Sequence, residues 1–182
     1  MAVIARSPCY PFQEKVFANV LSARLQPLLT ARRRPQQSGF TPGRSTIDAI
    51  LALRLLSELH QEFSQPLHVA YIDIKAAFDS VDRSALWKAL RSHGAPPFLI
   101  QLIEDLHSGT TSRIRVGGQL GLSEAFETTS GVRQGCVLAP GLFCIATDWI
   151  LVRCTGMGIT VGSSWFTDQD YADDPVLFTD CL

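Results

Sequence analysis

The sequence predicts an α+β fold. Two observations carry that reading. Five stretches hold apolar residues at helical spacing, and between them lie short segments that alternate in polarity or run apolar over only a few residues. The short segments include neighbours on either side of compact turns, so the strands are expected to pair antiparallel.

In chain order, Val16, Phe17, Val20, Leu21, Leu25 and Leu28 predict an amphipathic helix over about 13–29, bent at Pro27. A polar, basic loop runs on to Pro42-Gly43. Ser45 with Asp48 three residues later resembles a capping box, and the helix it opens carries Ile47, Ile50, Leu51, Leu55 and Leu59. Residues 67–74 are near-continuously apolar, which predicts a strand buried on both faces. Val81 to His93 reads as a helix stopped by Gly94. Pro96-Pro97 opens another helix to about His107. Arg113–Val116 and Ala125–Thr128 alternate around Gly117-Gly118 and read as a hairpin. A helix from Pro140 to about Cys154 follows, and two short strands flank Asp173-Asp174. There are no internal repeats and no low-complexity segments.

With 182 residues, 46% of them hydrophobic, the chain is long enough to bury one real core. A net charge of −1 argues against a simple nucleic-acid binder, but the charge is unevenly spread. Residues 1–46 hold seven cations against Glu14 alone, a net of +6, which leaves −7 for the remainder. A basic lobe with the run Arg32-Arg33-Arg34 suits a template strand and a triphosphate; a solvated loop explains the run equally well. Five scattered cysteines without a C-x-x-C pair fit free thiols of a reducing compartment, nucleus or cytoplasm. His60, His68, His93 and His107 lack ligand spacing. Met1 to Phe12 does not read as a signal peptide, and the apolar run from Cys136 to Val152 is broken by Pro140, Gly141 and Asp148, so no membrane partner is expected.

The densest chemistry is the string Asp170-Tyr171-Ala172-Asp173-Asp174. Adjacent carboxylates on a short turn repel one another, and a divalent cation is the usual remedy. An Asp-Asp pair alone is more often a solvated turn. Asp73, at the end of the apolar strand, supplies the third corner of a two-metal site, in which ions about 3.5–4 Å apart clamp the oxygens of a phosphoryl transfer. The pattern points to a nucleotidyl transferase.

The block Ser130-Gly131-Val132-Arg133-Gln134-Gly135-Cys136-Val137-Leu138-Ala139-Pro140 lies between these carboxylates. With Gln37-Ser38-Gly39-Phe40-Thr41-Pro42-Gly43-Arg44-Ser45-Thr46 and Ala76-Ala77-Phe78-Asp79-Ser80-Val81-Asp82, the order and separation of the motifs resemble a reverse transcriptase. The likeness is to the enzymes of non-LTR (LINE-type) retrotransposons and runs from about Lys15 to the last residues. It implies an RNA-directed DNA polymerase built of fingers and a ferredoxin-like antiparallel palm sheet backed by helices. The whole chain would then be one partial domain, about 1–66 fingers-like and about 67–182 mainly palm with some fingers elements. It implies two Mg²⁺ ions (Mn²⁺ as an alternative) on Asp73, Asp173 and Asp174, with RNA template, DNA primer and dNTPs as partners. It places Ile74, Lys75, Phe78, Arg133, Gln134, Gly135 and Arg44 around the incoming nucleotide, with Phe78 beneath the sugar as the group that selects deoxynucleotides.

The chain departs from the family pattern at Thr41, where arginine is usual, at Ala139 (serine), at Cys144 (asparagine) and at Pro175 (an aliphatic residue). It stops eight residues after Asp174, so a fragment without thumb is expected. A group II intron-type reverse transcriptase and a catalytically inactive retroelement remnant are the alternatives. Oligomeric state is not legible.

Overall fold

The computed structural model describes residues 2–6, 12–116, 123–153 and 156–180. Its elements are β1 (Ala2–Arg6), α1 (Phe12–Arg32), α2 (Thr46–Glu62), β2 (His68–Tyr71), α3 (Ala77–Ser80), α4 (Arg83–Ser92), α5 (Pro97–His107), β3 (Thr111–Val116), β4 (Phe126–Glu127), α6 (Ala139–Leu151), β5 (Ile159–Val161), β6 (Ser164–Phe166), β7 (Asp168–Tyr171) and β8 (Asp174–Thr179). This mixture of helices and small antiparallel sheets is the α+β class that the sequence predicts. Among the described residues, no helix is long and apolar enough to cross a membrane. Two compact units form, Met1–Ala31 with Phe78–Leu142, and Arg32–Ala77 with Phe143–Leu182.

In the first unit, α1 buries Ala18, Leu21, Leu25 and Leu29, a stripe at helical spacing. Pro27 sits inside the helix. Val16, Phe17 and Val20 stay partly exposed, so the buried stripe is only part of the apolar set in the sequence. α4 begins where Asp82 Oδ1 accepts the Ala85 N–H at 2.9 Å. It ends at Gly94, whose φ of 80° continues no helix. α5 opens on a proline at its first turn. Leu86, Ala89 and Leu90 of α4 and Leu99, Ile100, Ile103 and Leu106 of α5 are all buried. The expected hairpin forms with a shifted pairing, Thr111↔Glu127 and Ser112↔Phe126; Gly117-Gly118 lies outside the described residues. β1 pairs along its whole length with β3, from Ala2↔Val116 to Arg6↔Ser112. The sequence reading did not anticipate β1, because Ala-Val-Ile-Ala-Arg is too short to show a period. Arg83 ties this unit together, donating to the carbonyls of Gly131, His107 and Thr128 at 2.8–2.9 Å and to Thr110 Oγ1 at 3.0 Å.

In the second unit, β2, β8 and β7 form a three-stranded antiparallel sheet with β8 in the centre. α2 lies against β7. The capping box forms as expected: Ser45 Oγ accepts the Asp48 N–H, and Asp48 Oδ2 accepts the Ser45 N–H at 2.7 Å. Of the apolar residues of α2, Ile47, Ile50, Leu51 and Leu55 are exposed. β5 and β6 form a separate hairpin that the sequence reading also passed over. β2 is a correction: it is shorter than residues 67–74, and it is not covered on both faces. Tyr71 is 71% exposed. Among the described residues β2 pairs with β8 alone, so it is an edge strand, and the covering expected on both faces is missing.

Candidate active site

Asp173 and Asp174 lie at the β7–β8 turn, and Asp73 follows two residues after the end of β2, the strand paired with β8. The β2·β8 register runs from His68↔Thr179 to Tyr71↔Val176, and the Ile72 N–H donates to the Pro175 carbonyl at 3.0 Å. Asp73 follows Ile72 in the chain, and Asp174 precedes Pro175 as the first residue of β8. In an antiparallel ladder the N–H and C=O of one residue face the same neighbour, so the reciprocal bond needs a Pro175 N–H, which proline lacks. The ladder therefore ends at Ile72, and Asp73 leaves the strand beside the β7–β8 hairpin. That hairpin turns on two residues, Ala172 and Asp173, between the pair Tyr171↔Asp174. Ala172 has a φ of 59°, the positive value a type II′ turn requires at its first central position and one that glycine adopts more readily than alanine. Asp73 and Asp174 are exposed and Asp173 is half-buried.

Three carboxylates offer the oxygen donors that a hard divalent cation takes. The donor set therefore fits magnesium in its chemistry. Among the described residues, no group of three or more His, Cys, Asp or Glu is close enough to hold a metal ion as placed.

A loop from the motif that begins at Gln37 braces this hairpin. The Ser38 N–H donates to the Asp170 carbonyl at 2.8 Å, and the Asp170 N–H to the Gln36 carbonyl at 3.1 Å. The buried Gln37 side chain accepts from the Ala172 N–H at 3.0 Å and the Gly39 N–H at 2.8 Å. Gly39 lies so close that a Cβ there would meet the Ala172 nitrogen at 2.2 Å. Thr41 donates to the Gln37 carbonyl at 3.1 Å and accepts from Arg33 at 2.8 Å. Cys144, in place of asparagine, approaches the Gly39 carbonyl at 3.7 Å. Burial pushes its thiol up to about 12.

Beneath the hairpin, Arg34 pairs with Asp168 and stands 3.5 Å from Asp170. Both acids are buried. Burial, and then the charge of Asp168, push the Asp170 carboxyl up to about 8 against the pull of Arg34. The run Arg32-Arg33-Arg34 is thus not a free basic patch. Arg33 donates to the Phe40 carbonyl and Thr41, Arg34 serves buried acids, and Arg32 is the exposed member. Sequence alone could not show this, because the acids that claim Arg34 lie more than 130 residues away.

Of the other sequence-predicted site residues, Ile74, Lys75 and Arg44 belong to the second unit with the carboxylates, and Phe78, Arg133, Gln134 and Gly135 to the first. Ile74 is half-buried, Lys75 and Arg44 exposed. Phe78 is half-buried in α3. Its carbonyl accepts the Val132 N–H at 2.8 Å, which ties α3 to the loop that carries the next three residues. Arg133 donates to the Leu106 carbonyl at 2.7 Å and pairs with Glu14 at 3.2 Å. Gln134 donates to Asp79 at 3.1 Å. Gly135 has a φ of 79° and open space where a Cβ would stand, so its backbone can be approached closely. Missed by sequence reasoning were Gln37, Arg34 and Asp170, whose roles arise only from the fold.

The sequence model of the family described as reverse transcriptase (RNA-dependent DNA polymerase) matches residues 7–181. The chain is similar to the Retrovirus-related Pol polyprotein from type-2 retrotransposable element R2DM of Drosophila melanogaster, 29% identical over 170 residues, 89% of this chain and 16% of that protein. It is 28% identical over 167 residues to the Transposon TX1 uncharacterized 149 kDa protein of Xenopus laevis, 90% of this chain and 13% of that protein. It is 27% identical over 170 residues to the Retrovirus-related Pol polyprotein from type-1 retrotransposable element R2 of Popillia japonica, 92% of this chain and 24% of that protein. The chain therefore spans less than a quarter of each of these relatives. On the match across nearly its whole length, the chain belongs to the reverse transcriptase (RNA-dependent DNA polymerase) family.

Proposed function

We propose that this chain is the fingers-and-palm part of an RNA-directed DNA polymerase of the LINE type. About 1–66 form fingers-like structure, and about 67–182 are mainly a palm whose sheet is a three-stranded version of the ferredoxin-like arrangement. The observation that supports the reading is the β2·β8 pairing, whose last pair, Tyr71↔Val176, lies two residues from Asp73 in one strand and two from Asp174 in the other.

In this reading Asp73, Asp173 and Asp174 hold two magnesium ions, with manganese as a substitute. Bound there, the ions supply the Lewis acidity that activates a primer 3′-hydroxyl and neutralises the departing pyrophosphate. The chain's own residues do the positioning. The backbone N–H groups of Ile74 and Lys75 meet the triphosphate, and the Arg44 guanidinium adds positive charge to it. Phe78 lies under the sugar, where a rigid ring excludes a 2′-hydroxyl. Gln134 contacts the nucleotide, and Gly135 lets it lie against bare backbone. Arg133, through Leu106 and Glu14, fixes the loop that presents both, beside the template. The substrates are dNTPs and a DNA primer annealed to an RNA template.

The test is a chimera in which this chain replaces the matching segment of an active relative. RNA-templated extension of the primer is expected, dependent on a divalent cation. A folded chimera that binds the template–primer but extends nothing would favour the inactive-remnant reading instead.

A further inference from the structure

We propose that Gln37 is a positioning residue for the Asp173-Asp174 turn, holding it in the geometry that receives a divalent cation; the inference rests on the metal-site reading above. Gln37 is 1% exposed. Its Oε1 accepts two backbone N–H groups, one from its own loop (Gly39, 2.8 Å) and one from the hairpin turn (Ala172, 3.0 Å). Its Nε2 is buried without a hydrogen-bond partner. A buried amide with an unmade donor is destabilising, so the side chain is explained by its oxygen alone.

What that oxygen holds is the strained point of the turn. Ala172 takes a φ of 59° that a residue with a Cβ enters reluctantly, and it stands directly before Asp173. Gly39 presses against the same residue, with no room for a Cβ, and the backbone bonds of Gln36 and Ser38 to Asp170 fix the strand leading into the turn. The hydrogen bonds that the brace makes to the hairpin all go to the backbone of residues 170–172, so it sets where Asp173 emerges without touching the carboxylate. Groups of this kind, one step removed from a ligand, typically change metal affinity by about 10–100-fold when altered.

The test measures Mn²⁺ binding to the 182-residue chain by electron paramagnetic resonance, with circular dichroism as the check on folding. Four proteins are compared: wild type, Asp173→Asn, Gln37→Met and Gln37→Glu. Wild type should bind and Asp173→Asn should lose the site. Gln37→Met keeps the length but removes the acceptor, and its dissociation constant should rise at least about tenfold. Gln37→Glu keeps the acceptor and should stay within about threefold of wild type. Loss of binding in Asp173→Asn with wild-type binding in Gln37→Met overturns this inference and leaves the metal site standing. Equal weakening by both Gln37 variants also overturns it, since the oxygen would then not matter. Binding undiminished in Asp173→Asn overturns the metal-site reading and the inference together. Should Gln37→Met fail to fold, hydrogen exchange of the Ala172 amide in wild type decides: slow exchange supports the bond, and exchange at the rate of an open loop overturns it.

Discussion

Asp73, Asp173 and Asp174 stand out in the sequence because adjacent acids between apolar residues are unusual enough to be noticed without a structure. The residues that brace the turn before Asp173 do not. Gln37, Arg34 and Asp170 are polar side chains in unremarkable local surroundings, and their burial depends on segments about 130 residues apart meeting. Asp170 has a measurable consequence. Its carboxyl, pushed up to about 8, keeps in the folded state a proton that the unfolded chain releases near the ordinary carboxylate range. Its contribution to stability is therefore full at low pH and is lost as pH rises toward 8. Asp170→Asn removes that dependence, so its melting temperature relative to wild type should be higher at pH 8 than at pH 4; an equal difference at both would contradict the assignment. Phe78 gives a second prediction. In the active chimera, Phe78→Ala should raise ribonucleotide incorporation relative to deoxynucleotide, measured by competitive primer extension. An unchanged ratio in a folded protein would mean that the ring serves packing only.

Helices were read more faithfully than strands, for a physical reason. α5 begins at the proline that can start a helix, and α4 stops at the glycine that can end one, so local chemistry fixes both ends. β2 was over-read because its apolar run says nothing about which faces find partners, and β1, β5 and β6 are too short to carry a period. The loop ahead of Gln134 tests how tightly an element positions the site. At Gly131, φ is 80° and an added Cβ would meet the Asp79 Cα and carbonyl oxygen at 2.8 Å. Gly94 has the same φ with nothing in reach of a Cβ. Gly94→Ala should cost about 1 kcal/mol for the backbone conformation alone. Gly131→Ala adds backbone collisions and should cost roughly 2–3 kcal/mol. Chemical denaturation of both variants checks the difference, and equal losses would show that the α3–loop contact yields freely.

At the scale of the whole chain, composition was a poor guide and motif order a good one. A net charge of −1 hides a basic N-terminal quarter, yet part of that basicity is spent on buried acids. The order of motifs along the chain, by contrast, identified the family that the match over residues 7–181 establishes. The central claim is that the acids at the end of the β2-β8-β7 sheet perform nucleotidyl transfer. Its most direct measurement is RNA-templated primer extension by the chimera carrying Asp173→Asn, with template–primer affinity measured alongside. Extension should fall by at least about 10³-fold, while affinity for the RNA–DNA duplex stays within a few-fold of the parent. Extension at the parent rate by a folded Asp173→Asn chimera would contradict it.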